Sequence, residues 1–194
     1  SGGDPEKGAR AADHAKDELR AILQGADMVF VTAGMGGGTG TGGSPIVAEV
    51  ASELDALTVA VVSKPFRFEG RRRAALATEG LKKLAANVDT LIAVENDRLL
   101  EMVGPRATVE EAFAYADDIL RQGIQGISEI ITEGGTINVD FADVRSIMED
   151  GGAALMAIGK GSGDERVLAA VRQATQSPLL GVRIAGAKGM LFNV

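Results

Sequence analysis

The chain of 194 residues has no cysteine and no tryptophan, one tyrosine and one histidine. Without thiols there is neither a disulfide framework nor a thiolate metal site. His14 as the only imidazole excludes a multi-histidine zinc site and leaves a Ser–His–Asp triad a single base. Its place on the polar flank of a helical stretch reads as surface. Aromatic residues make up 4% of the chain, too few for the platforms on which single-stranded nucleic acid stacks. Positive charge is also short: 20 Lys and Arg against 27 Asp and Glu leave a net charge of -7. That balance points away from nucleic acid as a partner, yet leaves room for one small nucleotide in a local pocket. No apolar run reaches the length of a membrane-spanning helix and no signal-peptide pattern is present, so no direct membrane insertion is expected.

Glycine is in excess. The 26 glycines are about 13% of the chain, against about 7% in ordinary proteins. Apolar residues at 45% and charged residues at 24% are otherwise those of a folded globular protein. The chain opens on Ser1-Gly2-Gly3-Asp4-Pro5 and stops within the apolar stretch Gly189-Met190-Leu191-Phe192-Asn193-Val194. Ends of this kind read as those of a piece cut from something longer.

Periodicity predicts a helix from Pro5 to about Gln24, capped by Asp4. A continuously apolar strand follows at Met28–Ala33, of the kind buried on both faces of a sheet. A glycine-rich loop at 34–43 leads to a helix from Ser44-Pro45 to about Leu54. Leu57–Val62 is a second strand, 71–86 a helix and Thr90–Val94 a third strand. Strands alternating with helices predict βαβ units and a parallel sheet. Thr108 and Glu111 form a capping box that opens a long helix to about Thr132, with Phe113, Ala116, Ile119, Leu120, Ile127 and Ile130 on its buried side. Beyond it come a loop at 133–139, a short helix near 141–149, a strand at Ala153–Ile158, a helix at about 164–176 and a final strand at 189–194. The fold class is α/β: a Rossmann-like parallel sheet, a long central helix, and the start of a second, α+β domain. Residues 1–107, 108–132 and 133–194 are the three parts.

The stretch Gly34-Met35-Gly36-Gly37-Gly38-Thr39-Gly40-Thr41-Gly42-Gly43 between a buried strand and a helix is a setting for phosphate. Glycines let backbone N–H groups approach an anion, and the next helix adds its free amides and dipole. It has no lysine, so it is not a Walker loop, and it fails G-x-G-x-x-G, which disfavours a dinucleotide enzyme. The loops at 64–70 and 95–98 leave the same edge of a parallel sheet, where ligands bind. Arg73 could reach a phosphate and Glu69 a ribose hydroxyl; any one of these polar residues taken alone reads as solvated surface, and it is their convergence on one edge that points to a site. Asn96, with Asp117 or Asp118, has the donors and acceptors to read a base. Asp140 and Asp143 share a face at a helix start, suited to orienting a water for attack on a γ-phosphate or to binding a cation; capping by Asp140 with a solvated Asp143 is the alternative.

The run GGGTGTG within Gly34–Gly43 resembles the signature loop of the FtsZ family, prokaryotic tubulin-like cell-division GTPases. FRFEGRRR at 66–73, NDRLL at 96–100, DILRQGIQGI at 118–127 and NVDFADVR at 138–145 resemble that family in the same order, over almost the whole chain. The resemblance implies a tubulin-type GTPase domain without its first strands, and the loss of a C-terminal sheet and partner-binding tail. It implies that Gly36, Gly37, Gly38, Thr39, Gly40 and Thr41 cradle the phosphates of GTP or GDP, with Mg²⁺ or K⁺ accompanying the nucleotide. Glu69 and Arg73 would contact ribose and phosphate, and Asn96, Phe113 and Asp117 the guanine. Asn138, Asp140 and Asp143 would be the catalytic loop offered to the next subunit of a head-to-tail homopolymer. Other division proteins would bind the absent tail, and the setting would be the cytoplasm at the division site. A nucleotide-binding structural fragment without turnover is the alternative. Asp55 stands where the family usually has Gly, and Glu95 where Pro is common; both are expected to be tolerated surface changes. A free edge on the first strand predicts a chain prone to associate.

Overall fold

In the computed structural model the described residues are 1–104, 106–132, 140–180 and 187–192. Four parallel strands, β1 (Met28–Gly34), β2 (Leu57–Lys64), β3 (Thr90–Glu95) and β4 (Gly152–Ala154), lie side by side in that order. Eight helices surround them among the described residues: α1 (Pro5–His14), α2 (Lys16–Leu23), α3 (Thr39–Glu53), α4 (Arg71–Ala85), α5 (Asn96–Val103), α6 (Val109–Thr132), α7 (Phe141–Met148) and α8 (Arg166–Thr175).

β2 divides the core. On one face Leu57, Val59 and Val61 join Ile92 and Val94 of β3 against Leu99 of α5, Ile119 and Leu120 of α6, and Val144 and Met148 of α7. On the other, Ala60 and Val62 join Val29 and Val31 of β1 against Ala48 and Ala51 of α3 and Ala77 and Leu84 of α4. Successive side chains of a strand point to opposite faces, so one apolar strand serves both layers. The strand buried on both faces is therefore β2; β1, expected in that role, is at the sheet's edge with Thr32 exposed.

α1 and α3 meet at backbone distance. A Cβ at Gly8 would overlap the Gly38 carbonyl, and one at Gly42 would overlap the Pro5 carbonyl. α2 adds two charge pairs to the same neighbour, Lys16 to Glu49 at 3.0 Å and Arg20 to Glu53 at 2.5 Å. Their partners raise both cation pKa values, through the Glu49 hydrogen bond first for Lys16 and the Glu53 one first for Arg20.

Several boundaries differ from the sequence reading. The first helix is two, broken at Ala15, and His14 ends α1 in the open with Nδ1 2.6 Å from the Arg10 carbonyl. α3 starts at Thr39 and carries Pro45 inside it. Residues 96–98, expected in a loop, open α5. β4 ends at Ala154 rather than Ile158, and residues 189–192 form no strand. The loop at 133–139 and residues 193–194 lie outside the described residues. α6 keeps its capping box, Thr108 N–H to Glu111 at 2.8 Å and Glu111 N–H to Thr108 Oγ1 at 3.2 Å. Phe113, expected on its buried side, is partly exposed.

Candidate nucleotide site

β1 delivers the chain to the carboxyl edge of the sheet, where Met35 N–H donates to the Ser63 carbonyl at 2.9 Å. Gly36 then takes φ +103°, a conformation L side chains rarely adopt, and a Cβ there would sit 2.8 Å from the Arg73 carbonyl oxygen. Its N–H donates to Thr41 Oγ1 at 2.7 Å, so the buried Thr41 hydroxyl closes the turn. α3 begins immediately, with Gly38 as N-cap and no side-chain cap. Its first-turn N–H groups and the positive end of its dipole are therefore left without a side-chain cap; Ser1 packs on the buried Gly38, but nothing lies within 4 Å of a Cβ built at Gly37. This is open ground for an anion.

The other glycines of the run have a second task. A Cβ at Gly38 would come within 2.8 Å of Asp4 N, and one at Gly40 within 2.5 Å of the Gly34 carbonyl. Thr39 Oγ1 is 3.0 Å from Ser1 Oγ. Of the six residues expected to cradle phosphate, Gly37 and the exposed Thr39 thus face open space, and Gly36, Gly38, Gly40 and Thr41 build the turn.

The segment after β2 brings the next residues to this edge. Glu69 accepts from Phe66 N–H at 2.9 Å with one carboxylate oxygen and from Arg73 Nη1 at 2.6 Å with the other. Glu69 and Arg73, expected to contact ribose and phosphate, are therefore paired with one another beside Gly36. Three arginines, Arg71–Arg73, crowd the first turn of α4, which has neither an acidic residue nor a side-chain cap. Arg67 holds both oxygens of Asp97, through its N–H and Nε, each at 3.0 Å. Lys64 reaches Glu95 at 3.0 Å, and its hydrogen bond is the main reason the Glu95 carboxyl is held below its ordinary range.

Phe113, on the second turn of α6, stands edge-on to Phe66 at 5.2 Å and to Phe68 at 6.1 Å, while Phe66 and Phe68 stack at 4.8 Å. Phe68 is 54% exposed and Phe113 39%, so this cluster presents an aromatic surface one helical turn from Asp117. Asp117 lines a cavity of about 490 Å³ between α6 and Thr32 of β1. Its neighbour Asp118 is engaged: Arg121 first, then Gln122, hold it by hydrogen bonds that lower its pKa. Asn96 is 4% exposed and its Oδ1 has no hydrogen-bond partner. It lines a different cavity, of about 210 Å³, with Arg67, Thr78 and Asp97. The geometry thus links Gly36, Arg73, Glu69, Phe66 and Phe113 as neighbours in turn, with Asp117 beyond, and leaves Asn96 with an unmet acceptor behind them. Phe66 and Phe68 were not singled out from sequence. The signal was there, since two of only six phenylalanines fall two residues apart in a loop at the ligand-binding edge.

Asp140 and Asp143 are elsewhere. Asp140 is the N-cap of α7, its Oδ1 accepting from Asp143 N–H at 2.9 Å, and both acids are exposed. α7 is fastened to the amino-terminal ends of β2 and β3, the far edge of the sheet from the glycine turn. Strands of six to eight residues separate the two edges by about 20 Å. Asn138 lies outside the described residues. Among the described residues, no group of three acidic or histidine side chains is arranged to hold a metal ion.

Residues 1–104 match the model of the Tubulin/FtsZ family, GTPase domain, and residues 152–194 that of the FtsZ family, C-terminal domain. Among solved structures, an empty FtsZ dimer from M. jannaschii is similar at 46% identity and TM-score 0.90, over 93% of this chain and 52% of the other. A point mutant of M. jannaschii FtsZ gives the same identity and TM-score, over 93% of this chain and 54% of its own. The GDP-bound CetZ1 monomer from Haloferax volcanii shares the fold at 23% identity and TM-score 0.63, over 81% of this chain and 48% of its own. The chain thus spans about half the length of the FtsZ structures it matches.

Proposed function

Because the chain belongs to the Tubulin/FtsZ family, a family of GTPases, we propose that it is the nucleotide-binding part of a protein that hydrolyses GTP between copies stacked head to tail. The observation that carries this reading is the separation of the two half-sites. The uncapped start of α3, with Gly36 and Gly37, lies at one edge of the sheet, and Asp140 and Asp143 at the other. No rearrangement of side chains brings the acids to the chain's own glycine turn. A second copy placed edge to edge does, and a heterologous contact of that kind generates a filament.

Gly37 and the first turn of α3 would receive the phosphates, and Arg73, released from Glu69, their charge. Glu69 would then be free for a ribose hydroxyl. Phe113 and Phe68 would lie against the base, and Asp117 would accept from its ring N–H and exocyclic amine. Asn96 Oδ1, a buried acceptor without a donor, would take a further N–H. Bound GTP with its cation supplies an electrophilic γ-phosphorus. At the junction, the neighbour's Asp140 and Asp143 would orient and polarise the attacking water, a reaction that depends on position and charge more than on covalent chemistry. Cell division at the cytoplasmic division site is the proposed setting.

The test is GTP turnover against protein concentration. Turnover per chain should rise steeply with concentration, because the site is shared. Asp143→Ala should leave GTP affinity unchanged and lower turnover by about 100-fold or more. Turnover per chain that is independent of concentration overturns the reading.

A further inference from the structure

α7 rests on the core through Val144 and Met148, its two buried residues. Apolar contact is non-directional, so it fixes which side of the helix faces down and not where along its axis the helix stops. Two directional contacts settle that. Thr90, the first residue of β3 and 2% exposed, donates from Oγ1 to the Met148 carbonyl at 2.6 Å. That carbonyl ends α7 and also accepts from Gly151 N–H at 3.2 Å, a bond within the following turn that does not tie the helix to the sheet. Midway along, Arg145 Nη2 donates to the Asp55 carbonyl at 3.2 Å. The footing beneath is itself bonded: Asp89 accepts from Thr58 N–H at 2.8 Å through Oδ2 and from Gly152 N–H at 2.8 Å through its carbonyl.

We propose that Thr90 and Arg145 are positioning residues for Asp140 and Asp143, setting the register of α7 and hence the place at which the two carboxylates meet the next copy's nucleotide. The inference rests on the proposed function. α7 has eight residues, so it is a rod of about 12 Å. A slip at its anchored end is carried undiminished to its N-cap. Reactions that need a water in line with a phosphorus are sensitive to shifts of about 1 Å.

Thr90→Val keeps the β-branch and volume and removes the donor. GTP affinity and assembly, read by sedimentation, should match the parent chain, while kcat falls about tenfold. Thr90→Ser should restore most of it. A merely structural role would lower the unfolding midpoint without separating kcat from KM. A mixing experiment adds a readout that stability does not move. Thr90→Val has an intact nucleotide pocket and displaced acids; Asp117→Ala has the converse. Mixed, they should turn over GTP faster than the sum of the two alone, because some junctions pair the intact halves. Should Thr90→Val fail to fold, Arg145→Gln, on a partly exposed side chain, carries the same test with a smaller drop of about threefold. Turnover within about twofold of the parent, or a mixture no better than the sum, overturns the positioning role. Failure of the parent itself to show concentration-dependent turnover overturns the proposed function instead.

Discussion

At the level of single residues, the sequence told most where a side chain has one job. Asp4 and Thr108 read as caps and are caps. Asp55 read as a harmless departure from glycine, and its backbone explains why glycine suits the place: φ is +59°, the left-handed region. Its carboxylate approaches Arg145 at 3.6 Å but is almost fully exposed, so the pair contributes a few tenths of a kcal/mol at most. The left-handed backbone costs more than that. Asp55→Gly should therefore stabilise the chain by about 0.5 kcal/mol in urea unfolding, since Arg145 keeps its bond to the carbonyl; a loss of stability would show the ion pair to be the larger effect. Asn96 was legible as a candidate only from its position after a strand. That its Oδ1 is buried without a donor depends on packing from α4 and α5, which no local pattern encodes.

Elements with strong periodicity or caps emerged where expected: β2, α4 and α6 are within about two residues of their predicted bounds. α3 did not. Five glycine and threonine positions precede Pro45, and by propensity they resist helix formation. They are helical because α1 packs on them, with Gly8 against Gly38 and Pro5 against Gly42. The contact is between segments about 30 residues apart, so a local reading sees a loop. Gly8→Ala tests the seam. Its Cβ would strike the Gly38 carbonyl, and pushing α1 away should cost about 2 kcal/mol by chemical unfolding. It should also weaken GTP binding, because Gly38 is the N-cap of α3. Unchanged stability would mean that α1 is free to shift. The break at Ala15 and the early end of β4 were likewise invisible, both lying in segments whose apolar spacing suits the longer element.

For the whole molecule, the sheet has two unlike edges. The edge proposed for the nucleotide could be named from sequence because parallel strands must deliver their following loops to one side. The separation of the acids from it agrees with the resemblance, which offers Asp140 and Asp143 to the next subunit rather than to the chain's own glycine turn. The outer side of β1 has no strand partner among the described residues, and such edges recruit other strands. Charge opposes that at neutral pH, with a net of -7. It fades toward the isoelectric point of about 4.8. Association measured by light scattering should peak near that pH, and Thr32→Lys, a charge on the exposed part of β1, should reduce it. A monodisperse chain at that pH would show the edge to be inert. The two edges also give the molecule an arithmetic. In the proposed stack, n copies contain n − 1 complete junctions. One tip always carries a nucleotide with no water-orienting acids above it, and the other a pair of acids with nothing to act on. The first tip keeps its triphosphate however long the interior has been spending its own, so the age of a filament would be written along its length, youngest at one end.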